Sequence, residues 1–179
     1  MGYRRHSTSN LAILFCLTVV QRHFGDQDAA NYGISGDRTQ HVLWRIDHGA
    51  FQNARSRVVV LLVGTNNLGQ DSPPEIAAGV EAILERLKRA TPTSKVLLLG
   101  LLPRGELDGD PMRMKVRLVN QLYGELGYRP SVEYLDLGDH FIDEEGRARA
   151  ELYASDFLHL SPAGYEAWAA AIAPVLDRL

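Results

Sequence analysis

Apolar and polar positions alternate along this chain in stretches of two different periods. After Arg57 comes Val58-Val59-Val60-Leu61-Leu62-Val63, closed by Gly64, a short unbroken run rich in β-branched residues that predicts a strand buried on both faces. Val96 to Leu102, stopped by Pro103, predicts a second strand of the same kind. Between them Ile76, Val80, Ile83, Leu84 and Leu87 recur at helical spacing, behind a Pro73-Pro74 pair suited to a first helical turn. Strand, helix and strand make a βαβ unit.

The pattern then repeats. Met112, Val116, Val119, Leu122 and Tyr123 predict another amphipathic helix, and beyond Gly127 the alternation in Val132-Glu133-Tyr134-Leu135-Asp136-Leu137 predicts a more exposed strand. Ser161-Pro162 reads as an N-cap followed by proline at the first helical position, ahead of Tyr165, Trp168, Ala169, Ile172, Val175 and Leu176 on one face. These elements predict an α/β fold with a parallel sheet covered on both sides by helices, and function at the carboxyl ends of the strands. No repeat or linker interrupts the chain, so residues 1–179 read as one domain, with 1–20 atypical.

The longest apolar run, Leu11 to Val20, is ten residues long, well short of the roughly 20 that a membrane-crossing helix needs. No membrane span is expected. Arg4 and Arg5 ahead of it imitate a secretory signal, but Gln21 to Asp26 offers no small-residue cleavage site. A cytoplasmic protein is the expectation, with export the alternative if residues 1–20 act as a signal segment. With 179 residues, 45% hydrophobic and 23% charged, the chain has the material for a sizeable core, which excludes disorder and coiled coil. A net charge of -3 leaves no basic surplus for nucleic acid. Cys16 is the lone cysteine, so neither an internal disulfide nor a cysteine-built zinc site can form, and no feature requires a metal or organic cofactor.

Candidate chemistry lies in three segments at strand ends or before the last helix. Asn31 to Thr39 contains Gly33 and Gly36, which let backbone amides turn toward a ligand; tight turns also use such glycines. Gly64-Thr65-Asn66-Asn67 follows the first buried strand and can present an amide donor, although Asn there also serves turns. Asp156-Phe157-Leu158-His159 is the most informative. An Asp three residues ahead of a His can accept one ring N–H and leave the other nitrogen as a general base; capping of the final helix is the bland reading. His23, His41, His48 and His140 lack a carboxylate at that spacing, and His6 has none near it.

Four ordered motifs carry a resemblance: Gly33 to Arg45 (Gly-Ile-Ser-Gly-Asp-Arg-Thr-Gln-His-Val-Leu-Trp-Arg), Val63-Gly64-Thr65-Asn66-Asn67, Leu102-Pro103-Arg104-Gly105 and Asp156-Phe157-Leu158-His159-Leu160. The chain resembles the SGNH hydrolases, also called GDSL esterases and lipases, and within them the catalytic subunits of intracellular platelet-activating-factor acetylhydrolases. The resemblance implies a flavodoxin-like α/β/α three-layer sandwich and a metal-free serine hydrolase of small acyl esters. It also implies an oxyanion hole formed by the Gly36 N–H and the Asn66 side chain, with His159 as base and Asp156 orienting it. A homodimer is suggested by the resemblance alone.

The family's Gly-Asp-Ser block is not present anywhere in the chain. The family's spacing, counted back from Gly36 and Asn66, lands on Ser9 within Ser7-Thr8-Ser9-Asn10, which makes Ser9 the expected nucleophile. Met1 to Thr8 contains no apolar run for the central first strand, so that strand is expected to be missing or altered, as a frameshift, wrong start or truncation would leave it. Two functions stay open. One is a serine esterase of acetyl or short-chain acyl esters acting through Ser9, His159 and Asp156. The other is a binding protein of the same fold, or a truncated gene product, that lacks the nucleophile. Signal removal would take Ser9 with it, so export and catalysis by Ser9 exclude each other.

Overall fold

The computed structural model describes residues 24, 29–52 and 54–179, together with the backbone of 11–14. Among these residues five strands form one sheet: β1 (Leu11–Leu14), β2 (Ala29–Asn31), β3 (Val58–Leu61), β4 (Lys95–Leu99) and β5 (Val132–Leu135). All pair in parallel, in the order β2-β1-β3-β4-β5. The helices are α1 (Thr39–Asp47), α2 (Pro73–Ala90), α3 (Pro111–Leu126) and α4 (Pro162–Arg178). None of them is long and apolar enough to cross a membrane.

The pleat sorts the central strands onto two cores, because successive side chains point to opposite faces. Val59, Leu61, Val96 and Leu98 pack with Val42 and Ile46 of α1, the Ile76–Leu87 stripe of α2, and Val116, Val119 and Tyr123 of α3. Val58, Val60, Leu97 and Leu99 pack on the other side with Trp168, Ile172, Val175 and Leu176 of α4 and with Phe24, whose ring meets Trp168 edge-on at 6.3 Å. The three layers are helices, sheet and helix. They explain why β3 and β4 read as unbroken apolar runs and why β5, at the sheet edge, is only half-buried.

The helix starts follow the sequence closely. Ser72 caps α2 in a reciprocal box with Glu75, Asp110 accepts from Met112 N at 2.7 Å to start α3, and Ser161 accepts from Gly164 N at 3.1 Å to start α4. Each is followed by proline at the first helical position. Two elements carry no sequence prediction: β2 is too short to show a period, and the nine residues of α1 bury only one narrow edge.

Of the two outcomes expected for the first strand, missing or altered, the first is corrected. The sheet does have its first strand, supplied by Leu11–Leu14, which pairs with β2 on one side and β3 on the other. Met1 to Thr8 cannot supply an apolar strand, but the run that begins at Leu11 is apolar enough to pair beside the fully buried β3. It follows Ser9 in the chain instead of preceding it.

The exit from β3 is sterically tight. Gly64 sits at φ 127°, and a β-carbon there would lie 2.5 Å from the Tyr123 hydroxyl oxygen and 3.1 Å from Ile76 Cγ2. That hydroxyl donates to the Val63 carbonyl at 2.9 Å, so it cannot move away freely. Gly64→Ala should therefore lower stability by about 2–4 kcal/mol through backbone strain and overpacking. Thermal or urea unfolding checks this, and in a Tyr123→Phe background, where the clashing oxygen is gone, the same substitution should cost measurably less.

Candidate active site

The order β2-β1-β3 places a switch point at β1: the chain steps from β1 outward to β2, then crosses to β3 on the other side. Crevices form outside the carboxyl ends of strands at such points. A cavity of about 350 Å³ lies there, lined by the segments that follow β2 (Gly33–Asp37), β3 (Leu62–Asn66) and β4 (Leu101 and Leu102), and by Leu158 to Leu160. Gly36, Asn66 and His159, distant in sequence, all line it.

His159 and Asp156 form a local unit. Asp156 Oδ1 accepts the backbone N–H groups of Leu158 and His159, both at 3.0 Å, and Oδ2 bonds His159 Nδ1 at 2.6 Å. The fold-back needs Phe157 in the left-handed region at φ 47°, held by the bond from Gly105 N to its carbonyl at 3.0 Å. The His159 ring, then the two backbone N–H groups, stabilise the ionised carboxylate and hold Asp156 down at about 2. A carboxylate only accepts, so Nδ1 carries a proton, and in the neutral imidazole the lone pair is then on Nε2.

The Gly36 side is assembled at long range. Asp37 N donates to the Ile34 carbonyl at 3.2 Å, closing a turn with Gly36 at its third position, where φ 81° favours glycine. Asn66 Nδ2 donates to the Asp37 carbonyl at 2.9 Å, using one of its two amide hydrogens and leaving the other. Neighbouring Asn67 is buried and holds the start of α1. Its Oδ1 accepts from Thr39 N at 3.1 Å, and its Nδ2 reaches Asp71 at 2.6 Å and Gln40 at 3.0 Å.

The structure thus brings together four of the five site residues expected from sequence: Gly36, Asn66 and His159 at one cavity, with Asp156 on His159. Ser9 lies outside the described residues. The sequence assigns no role to Asn67, Asp37 or Arg45, although all three stand within the quoted motifs. Paired asparagines after a strand are a signal, but which of the two faces the cavity depends on the single turn of 3₁₀ helix over Thr65–Asn67. Among the other histidines, His41 Nδ1 accepts from Arg38 N at 3.1 Å and His48 stacks on Trp44 at 4.0 Å, both outside the cavity lining.

A parallel sheet whose switch-point loops converge on one such cavity is the architecture of the GDSL or SGNH hydrolases. Residues 12–167 match the GDSL-like lipase/acylhydrolase family, and the chain belongs to it. It is 39% identical over 158 residues to platelet-activating factor acetylhydrolase IB subunit alpha1 of Bos taurus, covering 87% of this chain and 66% of that protein, so it spans just under two thirds of the relative's length. A Streptococcus pneumonia structure described as a platelet activating factor superposes with TM-score 0.81 at 29% identity, covering 94% of this chain and 84% of that one. An acetyl-xylooligosaccharide esterase from Geobacillus Stearmophilus shares the fold, with TM-score 0.70 at 18% identity, covering 88% and 77%.

Because its carboxyl is depressed below the ordinary value of about 3.9, folding favours the ionised form of Asp156. That contribution is fully present above the ordinary carboxylate range and is lost as pH falls through about 2. The carboxyl carbon resonance of Asp156, followed by NMR, should stay constant from neutral pH down to about pH 4. In His159→Ala, which removes the largest cause of the depression, its midpoint should move back toward the ordinary value.

Proposed function

We propose that this chain is an acyl-ester hydrolase of small substrates, acetyl or short-chain acyl esters. Ser9 Oγ attacks the ester carbonyl carbon while His159 Nε2 takes its proton, and Asp156 holds the imidazole in the tautomer that can do so. The tetrahedral oxyanion is held by the Gly36 N–H and the free amide hydrogen of Asn66. The imidazolium returns its proton to the departing alkoxide, and water repeats the sequence to free the acid and the serine. The observation that carries this reading is the 2.6 Å Asp156–His159 bond at a cavity shared with Gly36 and Asn66. The acetyl preference is supported by the acetylhydrolase name of the bovine relative, and an ester substrate by membership of the acylhydrolase family.

A second reading, a binding protein of the same fold, has one observation in its favour. In the sequence Ser9 precedes Leu11, the first residue of β1, whereas the cavity lies beyond the carboxyl ends of the strands. The two separate on one assay with a short p-nitrophenyl ester. Under the hydrolase reading Ser9→Ala abolishes turnover, His159→Ala lowers kcat/KM by about 10²–10⁴-fold, and Asn66→Ala lowers kcat by about 10²–10³-fold. Turnover that survives Ser9→Ala but not His159→Ala assigns the attack to another nucleophile. A folded wild-type protein that hydrolyses no ester is the binding protein.

A further inference from the structure

We propose that Arg45 is a positioning residue of the oxyanion site, one that fixes the turn carrying Gly36; the proposal rests on the hydrolase reading above. The turn needs an outside anchor. Ile34, Ser35 and Gly36 are exposed, and the turn is closed by a single 3.2 Å backbone hydrogen bond. An exposed segment with so few contacts opens easily, yet an oxyanion donor works only if it is already in place when charge develops.

Arg45 supplies the anchor from the last turn of α1. Its Nη1 donates to the Tyr32 carbonyl at 2.6 Å, ahead of the turn, and its Nη2 pairs with the carboxylate of Asp37, the turn's last residue. One rigid planar fork therefore spans both ends of the segment in which Gly36 sits. Asp37 is also the residue whose carbonyl receives the Asn66 amide, so the guanidinium, the turn and the second oxyanion donor are joined through a single residue.

Packing does not explain this side chain. Its Nε is buried and has no hydrogen-bond partner, and a buried N–H left unmatched calls for a reason. A methionine would fill the same place on α1 without that defect. Field effects do not explain it either, because Asp37 neutralises the guanidinium at contact distance. Arg45 also lines the cavity, and what sets its side chain apart there is geometry: two bonds that only a planar, multiply donating cation can make at once.

The test uses the full chain and two substitutions, Arg45→Met and Arg45→Lys, read by hydrogen exchange and by steady-state hydrolysis of p-nitrophenyl acetate. In Arg45→Met the amides of residues 32–38 should exchange roughly tenfold or more faster while those of β3 and β4 keep their protection. kcat should fall by up to about 10²-fold with KM within about twofold, the pattern of a displaced transition-state contact. Arg45→Lys keeps the charge but loses the fork, and should lie between wild type and Arg45→Met on both readouts. Unchanged exchange over 32–38 overturns the proposal. So does faster exchange spread equally through β3 and β4, or a raised KM with kcat unchanged, which would make Arg45 a substrate contact. If the wild-type protein hydrolyses no ester, the hydrolase reading fails, and exchange over 32–38 alone decides what Arg45 does.

Discussion

The site depends on side-chain amides bridging a gap that the sheet cannot close. β2 and β3 are not neighbours; β1 lies between them, so no ladder hydrogen bond joins the segments that follow them. Asn67 and Asn66 make that connection, one to the first residue of α1 and the other to Asp37. Asn67 is buried, so its amide must find protein partners: Oδ1 accepts from Thr39 N, and the two hydrogens of Nδ2 are directed at Asp71, Gln40 and the Thr39 hydroxyl. The polar demand of one buried amide thereby sets the distance between two loops. Gly79 serves the same junction from α2, since a β-carbon there would stand 2.6 Å from Thr39 Oγ1 and push the start of α1 away.

The Asp156–His159 unit is built on a different plan. It is exposed and local, with its geometry set by three hydrogen bonds to one carboxylate within four residues. What it needs from the rest of the molecule is a platform. The Leu102–Gly105 motif provides one: Gly105 N bonds the Phe157 carbonyl, and Tyr153 donates to the Pro103 carbonyl at 2.8 Å. Arg113, buried in α3, donates to the carbonyls of Arg104, Gly105 and Gly146, so the platform is braced from the helix behind it. The motif supports the dyad through its backbone, while the Arg104 side chain donates to the Thr65 carbonyl at 3.3 Å.

The two halves of the site accordingly differ in how much the sequence says about them. An Asp three residues before a His makes their contact available within one tight turn of chain, here completed by Phe157 at φ 47°. Gly36 and Asn66 encode nothing about each other. Their shared cavity was readable from the strand ends they follow and from the resemblance to other hydrolases, whereas the contacts of Asn67 and Arg45 were not readable at all, since each bonds residues that chain distance does not pair. The first strand departs from expectation for a different reason: the expectation places it ahead of Ser9, where Met1 to Thr8 holds no apolar run, and only pairing with β2 and β3 shows that Leu11–Leu14 supplies it.

By itself the sequence determined the layered α/β architecture, α2 to α4 with the Ser161 cap of α4, the buried strands β3 and β4, and the Asp156–His159 pairing. All of these follow from periodicity or from contacts within a few residues, where chain connectivity does the selecting. The tertiary structure decided where β1 lies, that α1 and β2 exist, which asparagine faces the cavity, and how an arginine on α1 braces a turn eight residues before it. Those features rest on satisfying buried donors and acceptors across elements far apart in the chain, and that condition has no period to read.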